Sequence, residues 1–214
     1  MYIKNFQQLL LQKVWKKGDL EMIKWLYKKK IRGCPIFLDD VILDNGDLDV
    51  IKWLYNHCDV KEFRVRDFAS RHTALEYVVS NNRLDIIQWI YQTFGDEYIK
   101  HFIDGDVRSD DLDMLVFLHE KCKVSLWSAV KPIIEGNNLN SVKYLFRTYG
   151  NDIWFNICWC TNLKILDYLC ERFPNNVALG FYGNGWVPDY LEQKYPDKRM
   201  FSKGLMNDDD YYSN

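Results

Sequence analysis

Apolar residues recur along the chain in a short pattern that returns six times. Each copy opens on an anchor leucine: Leu20, Leu48, Leu84, Leu112, Leu139 and Leu163. Three residues on lie Ile23, Ile51, Ile87, Leu115, Val142 and Leu166. Five on lie Trp25, Trp53, Trp89, Phe117, Tyr144 and Tyr168, and six on lie Leu26, Leu54, Ile90, Leu118, Leu145 and Leu169. Apolar positions at offsets 0, +2, +3, +5 and +6 predict a short helix with a wide apolar face. Such a helix needs cover on more than one side, which a stack of helices provides. The full strings show the same ancestry: GDLEMIKWLY at 18–27 returns as GDLDVIKWLY at 46–55, and in worn form from Asn82, Asp110, Asn137 and Thr161, with a seventh trace, NGWVPDYLEQ, from Asn184.

The residues before each anchor predict a turn and a helix start. Gly18, Gly46, Asn82 and Asn137 suit the left-handed conformation that ends a preceding helix. Asp19, Asp47, Asp111, Asn138 and Asn162 are residues that cap the next one, and Glu21, Asp49, Asp85 and Asp113 follow in its first turn, where the helix dipole favours acids. The second helices should therefore begin near Asp19, Asp47, Arg83, Asp111, Asn138 and Asn162. Upstream of the turns lie further apolar stretches, FQQLLLQKVW, IFLDDVIL, TALEYVV, LWSAVKPII and DIWFNICW, read as first helices. Brief polar linkers such as HCDVKEF, QTFGDEY and KCKVSL separate the pairs.

The unit is thus helix, tight turn, helix, and the fold class is all-α: a helical-repeat solenoid of six to seven repeats over 1–195, followed by a polar C-terminal tail, 196–214. The anchors are spaced by 28, 36, 28, 27 and 24 residues. Tetratricopeptide repeats hold to about 34 and HEAT or armadillo repeats to about 40–47, so both fit worse than a trimmed ankyrin unit, whose period is about 33.

Residues Thr73–Tyr91, TALEYVVSNNRLDIIQWIY, resemble the ankyrin pattern T-P-L-x-x-A-x-x-x-G-x-L-x-[IV]-[IV]-x-x-L-[LI]. Thr73, Leu75, Leu84, Ile86, Ile87 and Ile90 stand where that pattern expects them. Ala74 replaces its proline and Glu76 its histidine. The variant GDL-[DE]-x-IKWLY is similar to that of the divergent ankyrin proteins of large DNA viruses of amoebae. The resemblance implies stubby inter-repeat loops, first helices that line an inner surface, and a protein-binding role without catalysis, directed at a host protein. Many such viral proteins begin with an F-box; here the first repeat starts near Phe6 and leaves no room for one.

Composition narrows the classes. With 214 residues, 48% of them hydrophobic, the chain can bury a sizeable core. A formal charge of −2 argues against bulk nucleic-acid binding. Residues 1–32 nevertheless hold nine Lys/Arg against Asp19 and Glu21, while residues 33–195 hold sixteen against twenty-four acids. A solvated polar face on the first repeat accounts for that asymmetry. Phosphate contacts by Lys24, Lys28, Lys29, Lys30 and Arg32 are the nucleic-acid alternative. No run approaches the ~18 apolar residues of a membrane span. The first seventeen residues have no h-region long enough for a signal peptide. These features predict an intracellular protein, in host cytoplasm or a viral particle, with its six cysteines reduced.

Chemistry is sparse. Cys158, Cys160 and Cys170 lack a fourth ligand for zinc, and DGDVRSDDLD at 104–113 has its glycine misplaced for a calcium loop and Leu115 where the closing Glu belongs. No nucleophile elbow or P-loop appears. The expectation is no enzyme, no cofactor, no metal and no small-molecule substrate, but a protein partner. A structural role within a viral particle is the alternative. The predicted partner surface comprises the first helices, with Trp127 and Trp154 as aromatic anchors, and the long connection 60–72, with Arg64, Arg66, Arg71 and His72 as polar contacts.

Overall fold

The computed structural model describes residues 13–29, 41–43, 46–58, 74–103, 107–153, 155–156, 159–173, 177–178, 190 and 193–194. The chain is mostly helical and divides into two compact units, Met1–Asp104 and Gly105–Asn214. In the first unit lie α1 (Leu20–Lys28), α2 (Leu48–His57), α3 (Ala74–Ser80), α4 (Leu84–Phe94) and α5 (Asp96–Phe102). The second holds α6 (Leu112–Val116), continued as a π-helical turn over Phe117–Lys121, then α7 (Val130–Glu135), entered through a 3-10 turn at Trp127–Ala129, α8 (Leu139–Tyr149) and α9 (Leu163–Arg172). Two-residue strands, β1 (Phe155–Asn156) and β2 (Val177–Ala178), pair in parallel. Among the described residues no helix is long and apolar enough to cross a membrane.

The helix starts follow the turn chemistry in the sequence. Gly18, Gly46, Asn82 and Asn137 all have φ between 55° and 70°. Asp19 then accepts from the Met22 amide at 2.9 Å, Asp47 from Asp49 and Val50, Asp111 from Met114, Asn138 from Asn140 and Ser141, and Asn162 from Lys164. Each bond satisfies an amide that the first helical turn leaves without a partner. Only α4 among these six helices lacks a side-chain cap: Arg83 turns away to fork onto Asp85, at 3.0 and 2.9 Å.

Two elements depart from expectation. QTFGDEY is not a polar linker, because α4 runs to Phe94 and α5 restarts at Asp96, with Gly95 at φ 88° as the sole break. The stretch DIWFNICW does not supply a first helix. Of its described residues Phe155 and Asn156 form β1, with Phe155 buried, so a β-prone aromatic run uses a strand pair where TALEYVV and LWSAVKPII supply helices.

The core is narrower than the apolar pattern. Offsets +3 and +6 are buried in all six copies, and +2 in every copy but the first, where Met22 is exposed. The anchor leucines are only half-buried, and Leu163 is exposed. The +5 tryptophans, part of the apolar pattern, do not form an interior column: Trp25 is 53% exposed, and Trp53 and Trp89 are half-buried. Helix geometry explains this. At 3.6 residues per turn, +2, +3 and +6 share one stripe, while +5 and +7 fall on opposite flanks, roughly 100° to either side of it. The +7 ring of one helix therefore meets the +5 ring of the next. Tyr27 stands edge-on to Trp53 at 5.2 Å, Tyr55 to Trp89 at 5.6 Å, and His119 to Tyr144 at 6.1 Å. Position +10 closes the far side: Tyr55 on Phe94, His119 on Tyr149, Phe146 on Phe173. Edge-to-face pairs at such distances add about 0.5–1.5 kcal/mol each beyond the area they bury.

The cysteines divide. Cys122, Cys160 and Cys170 are buried thiols that form no disulfide. Cys58 is disulfide-bonded, against the expectation that all six are reduced.

Candidate interaction surface

Of the six residues predicted to contact a partner, Arg64, Arg66, Arg71, His72 and Trp154 lie outside the described residues. Trp127 is described and is 48% exposed at the entrance to α7. Its ring leans on Tyr149 at 4.9 Å, and the Tyr149 hydroxyl accepts from the Leu126 amide at 2.9 Å, so the exposed ring sits on a fixed base. Farther along, Lys131 reaches over the half-buried Trp159, 6.0 Å from its centroid. Of the basic cluster in the first repeat, Lys30 and Arg32 lie outside the described residues. Lys24 is held by Glu21 at 2.7 Å, and Lys29 lies over Trp25 at 5.7 Å.

A broad concavity lies elsewhere. In the second unit, α6, α8 and α9 border a groove of about 960 Å³. Five of its lining residues occupy outward offsets of the repeat. At 3.6 residues per turn, +1, +4 and +8 point directly away from the buried stripe. On α8 these are Asn140, Lys143 and Arg147. Leu112, Val116 and Glu120 line one wall from α6 and its π-helical extension, while Tyr168 and Arg172 line the other from α9. The buried rings of Phe146 and Phe173, 4.5 Å apart, close the end.

The cations of the groove lie flat on its aromatic floor. Lys143 stands 5.8 Å above the Tyr168 ring, and Arg147 lies 5.7 Å from the Tyr144 ring. Contacts of this kind let the alkyl stems cover apolar surface while the charges stay at the rim. Tyr144 is buried, and its hydroxyl is 3.0 Å from His119 Nδ1 and 3.4 Å from Glu120 Oε1. Burial first, and then the neighbouring Glu120 carboxylate, raises the phenol above its ordinary value, so it remains a neutral donor.

Lys143, Arg147 and Arg172 form no salt bridge to a carboxylate among the described residues. The contrast with α1 is informative, because Lys24 occupies the same +4 position as Lys143. Lys24 is neutralised by Glu21 at +1, whereas α8 has Asn140 at +1 and α9 has Lys164. Sequence reasoning passed over this signal. The first-turn acid, present in the first four copies, is lost from the next two, and in α8 the partner that Lys24 has in α1 is lost with it for Lys143.

A second, smaller hollow of about 480 Å³ in the first unit is walled by Asp47, Asp49, Arg83 and Asp85. Here the one cation, Arg83, already has its carboxylate in Asp85. The Asp85 carboxyl is held below its usual value, first by its hydrogen bond from Arg83, and the Arg83 guanidinium is raised by the same bond. The two hollows thus differ in kind: one presents cations that lack a carboxylate, the other an ion pair that is complete. No family model, curated protein or solved structure matches the chain.

Proposed function

We propose that the chain is a non-catalytic protein-interaction module, an ankyrin-like stack of shortened helix–turn–helix repeats that works by offering surface. The observation that carries this reading is the recurrence of one inter-repeat joint. The left-handed turn, the Asp or Asn cap and the +7 to +5 aromatic contact return from copy to copy in both units. A chain that reuses one joint stabilises each repeat through its neighbours and leaves the outward positions free to vary, which is how repeat arrays evolve binding faces. The GDL-[DE]-x-IKWLY variant, similar to that of the ankyrin proteins of amoebal viruses, supports a virus-encoded protein directed at a host protein.

Affinity capture from host lysate tests the module reading. The folded chain should retain one or a few host proteins reproducibly, and a melted chain should not. Retention of nothing by chain whose helicity is intact would overturn it. Stoichiometric presence in purified particles would instead assign the chain to the particle. A role in nucleic-acid binding through the first repeat draws less support, because Lys24 is already paired with Glu21.

A further inference from the structure

We propose that the groove over α6, α8 and α9 is the docking site for an acidic peptide segment of the partner protein, a segment in which carboxylates flank an apolar side chain. The inference rests on the interaction-module reading and adds to it a place and a chemistry. It also moves the contact from the first helices to the outward face of the second helices.

Three observations converge on this occupant. The groove carries Lys143, Arg147 and Arg172 against the single carboxylate of Glu120, so its local charge is complementary to acids. That excess is written in the repeat: Asn140 stands where the first four copies place an acid, and Lys143 forms no salt bridge to another carboxylate among the described residues. Between the cations lies apolar surface, the half-buried Leu112, Val116 and Tyr168, over which an aliphatic or aromatic side chain can pack. A site with charge at the rim and rings on the floor is the anatomy of a peptide-binding hot spot.

A nucleic acid would also seek cations beside aromatic rings, but the charge of the surrounding unit disfavours it. Residues 105–214 hold twelve Lys/Arg against fifteen Asp/Glu, and Glu120 stands within the groove itself. A long polyanion meets that net negative field along its whole length. A peptide with two or three carboxylates meets only the local cations.

The test is selection followed by mapping, with the full-length chain. A randomised twelve-residue peptide library displayed on phage is panned against the chain at low salt, and enriched peptides are synthesised with a fluorescent label. The enriched set should be rich in Asp and Glu around a Leu, Phe or Trp, and binding should weaken as salt rises. The triple variant Lys143→Glu, Arg147→Glu, Arg172→Glu should lose affinity about tenfold or more with its melting temperature nearly unchanged, since the three side chains are exposed and form no salt bridge among the described residues. The milder Lys143→Gln, Arg147→Gln, Arg172→Gln variant should fall between and guards against a fold defect from charge reversal. Acidic peptides that bind both triple variants as tightly as the parent would overturn the groove while leaving the module reading standing, as would enriched peptides that are neutral or basic. Binding of labelled oligo-dT that is lost in the same variants would assign the groove to nucleic acid and overturn the proposal. Enrichment of no peptide would also overturn it, and host capture would then judge the module reading separately.

Discussion

In the unit Met1–Asp104 three cations have their counter-charges close by, Lys24 on Glu21, Arg83 on Asp85, and Lys100 on Asp96 and Glu97, while Lys28 and Lys52 form no salt bridge among the described residues. Its aromatic joints are half-exposed, and Trp25 is largely bare. In the unit Gly105–Asn214 the same joints are driven inward, with Tyr144, Phe146 and Phe173 buried, while the outward cations of α8 stand without acids. The repeat is the same; the allocation differs. Offsets +2, +3 and +6 are fixed by the need to bury them, and change there costs stability. Offsets +1, +4 and +8 carry no such constraint, so a difference between copies at those positions is where a binding role can be read.

The largest effect should come from the joints. Phe146 is fully buried between Phe155, at 5.2 Å, and Phe173, at 4.5 Å. Phe146→Ala should cost about 3–5 kcal/mol, the range for a buried aromatic. Trp53 is half-buried, clasped by Tyr27 at 5.2 Å and stacked on His57 at 4.4 Å. Trp53→Ala should cost less, about 2 kcal/mol, because part of the ring already faces water. Denaturant unfolding of both variants measures the gap. Equal losses would mean that the two units bury their joints alike and would remove the contrast.

Much of this frame was legible in the sequence, and the reason is local chemistry. The left-handed turns at Gly18, Gly46, Asn82 and Asn137, and the caps that follow, depend on residues within three positions of one another. The aromatic joints were not read correctly, since a one-helix pattern shows that Trp53 is apolar but not which flank meets Tyr27. Counting by 3.6 would have separated +5 from +7. The strand at Phe155 escaped because its pairing partner, Val177, lies more than twenty residues away. The groove was missed because attention fell on what the copies share, and its signal is what two of them lack.

A second contrast concerns close approach. Gly136 has ordinary helical φ, −72°, so nothing in its backbone requires glycine. What requires it is Asp110, whose side chain packs so near that a Cβ at 136 would overlap it. Asp110 is also the turn residue whose carbonyl accepts from Asn138 Nδ2 at 3.1 Å and Ser141 Oγ at 2.6 Å, so it cannot retreat freely. Gly136→Ala should cost about 1–3 kcal/mol, the range for overpacking. A gain in melting temperature, as expected of Gly→Ala in an unhindered helix, would show that the turn of α6 yields.

The ion pair of the smaller hollow should respond to acid. Because the Asp85 carboxyl is lowered in the folded chain, chiefly by the Arg83 bond, its contribution is complete above the unfolded pKa of about 3.9 and fades as pH falls through the lower folded value. Both partners are largely solvated, so the contribution is held to under about 1 kcal/mol. Asp85→Asn should lower stability by that small amount at neutral pH and converge with the parent at the acid end of the titration. A difference that persists unchanged there would mean that the effect is not the ion pair.

The smallest change in stability should carry the sharpest information about the groove. Asn140→Glu restores the first-turn acid that α1 has in Glu21, three residues before a lysine at the same offset. On a solvated helix face such a pair is worth about 0.2–0.5 kcal/mol, and an acid near the N-terminus of α8 adds a comparable amount with the dipole. The variant should therefore melt at the parent temperature or slightly above it. Binding of an acidic peptide should nonetheless fall, because the new carboxylate occupies Lys143 as Glu21 occupies Lys24. Asn140→Gln keeps the size without the charge and should bind as the parent does. If Asn140→Glu binds as tightly as Asn140→Gln, Lys143 is not a recognition charge, and the missing acid of α8 is drift in a solvated position.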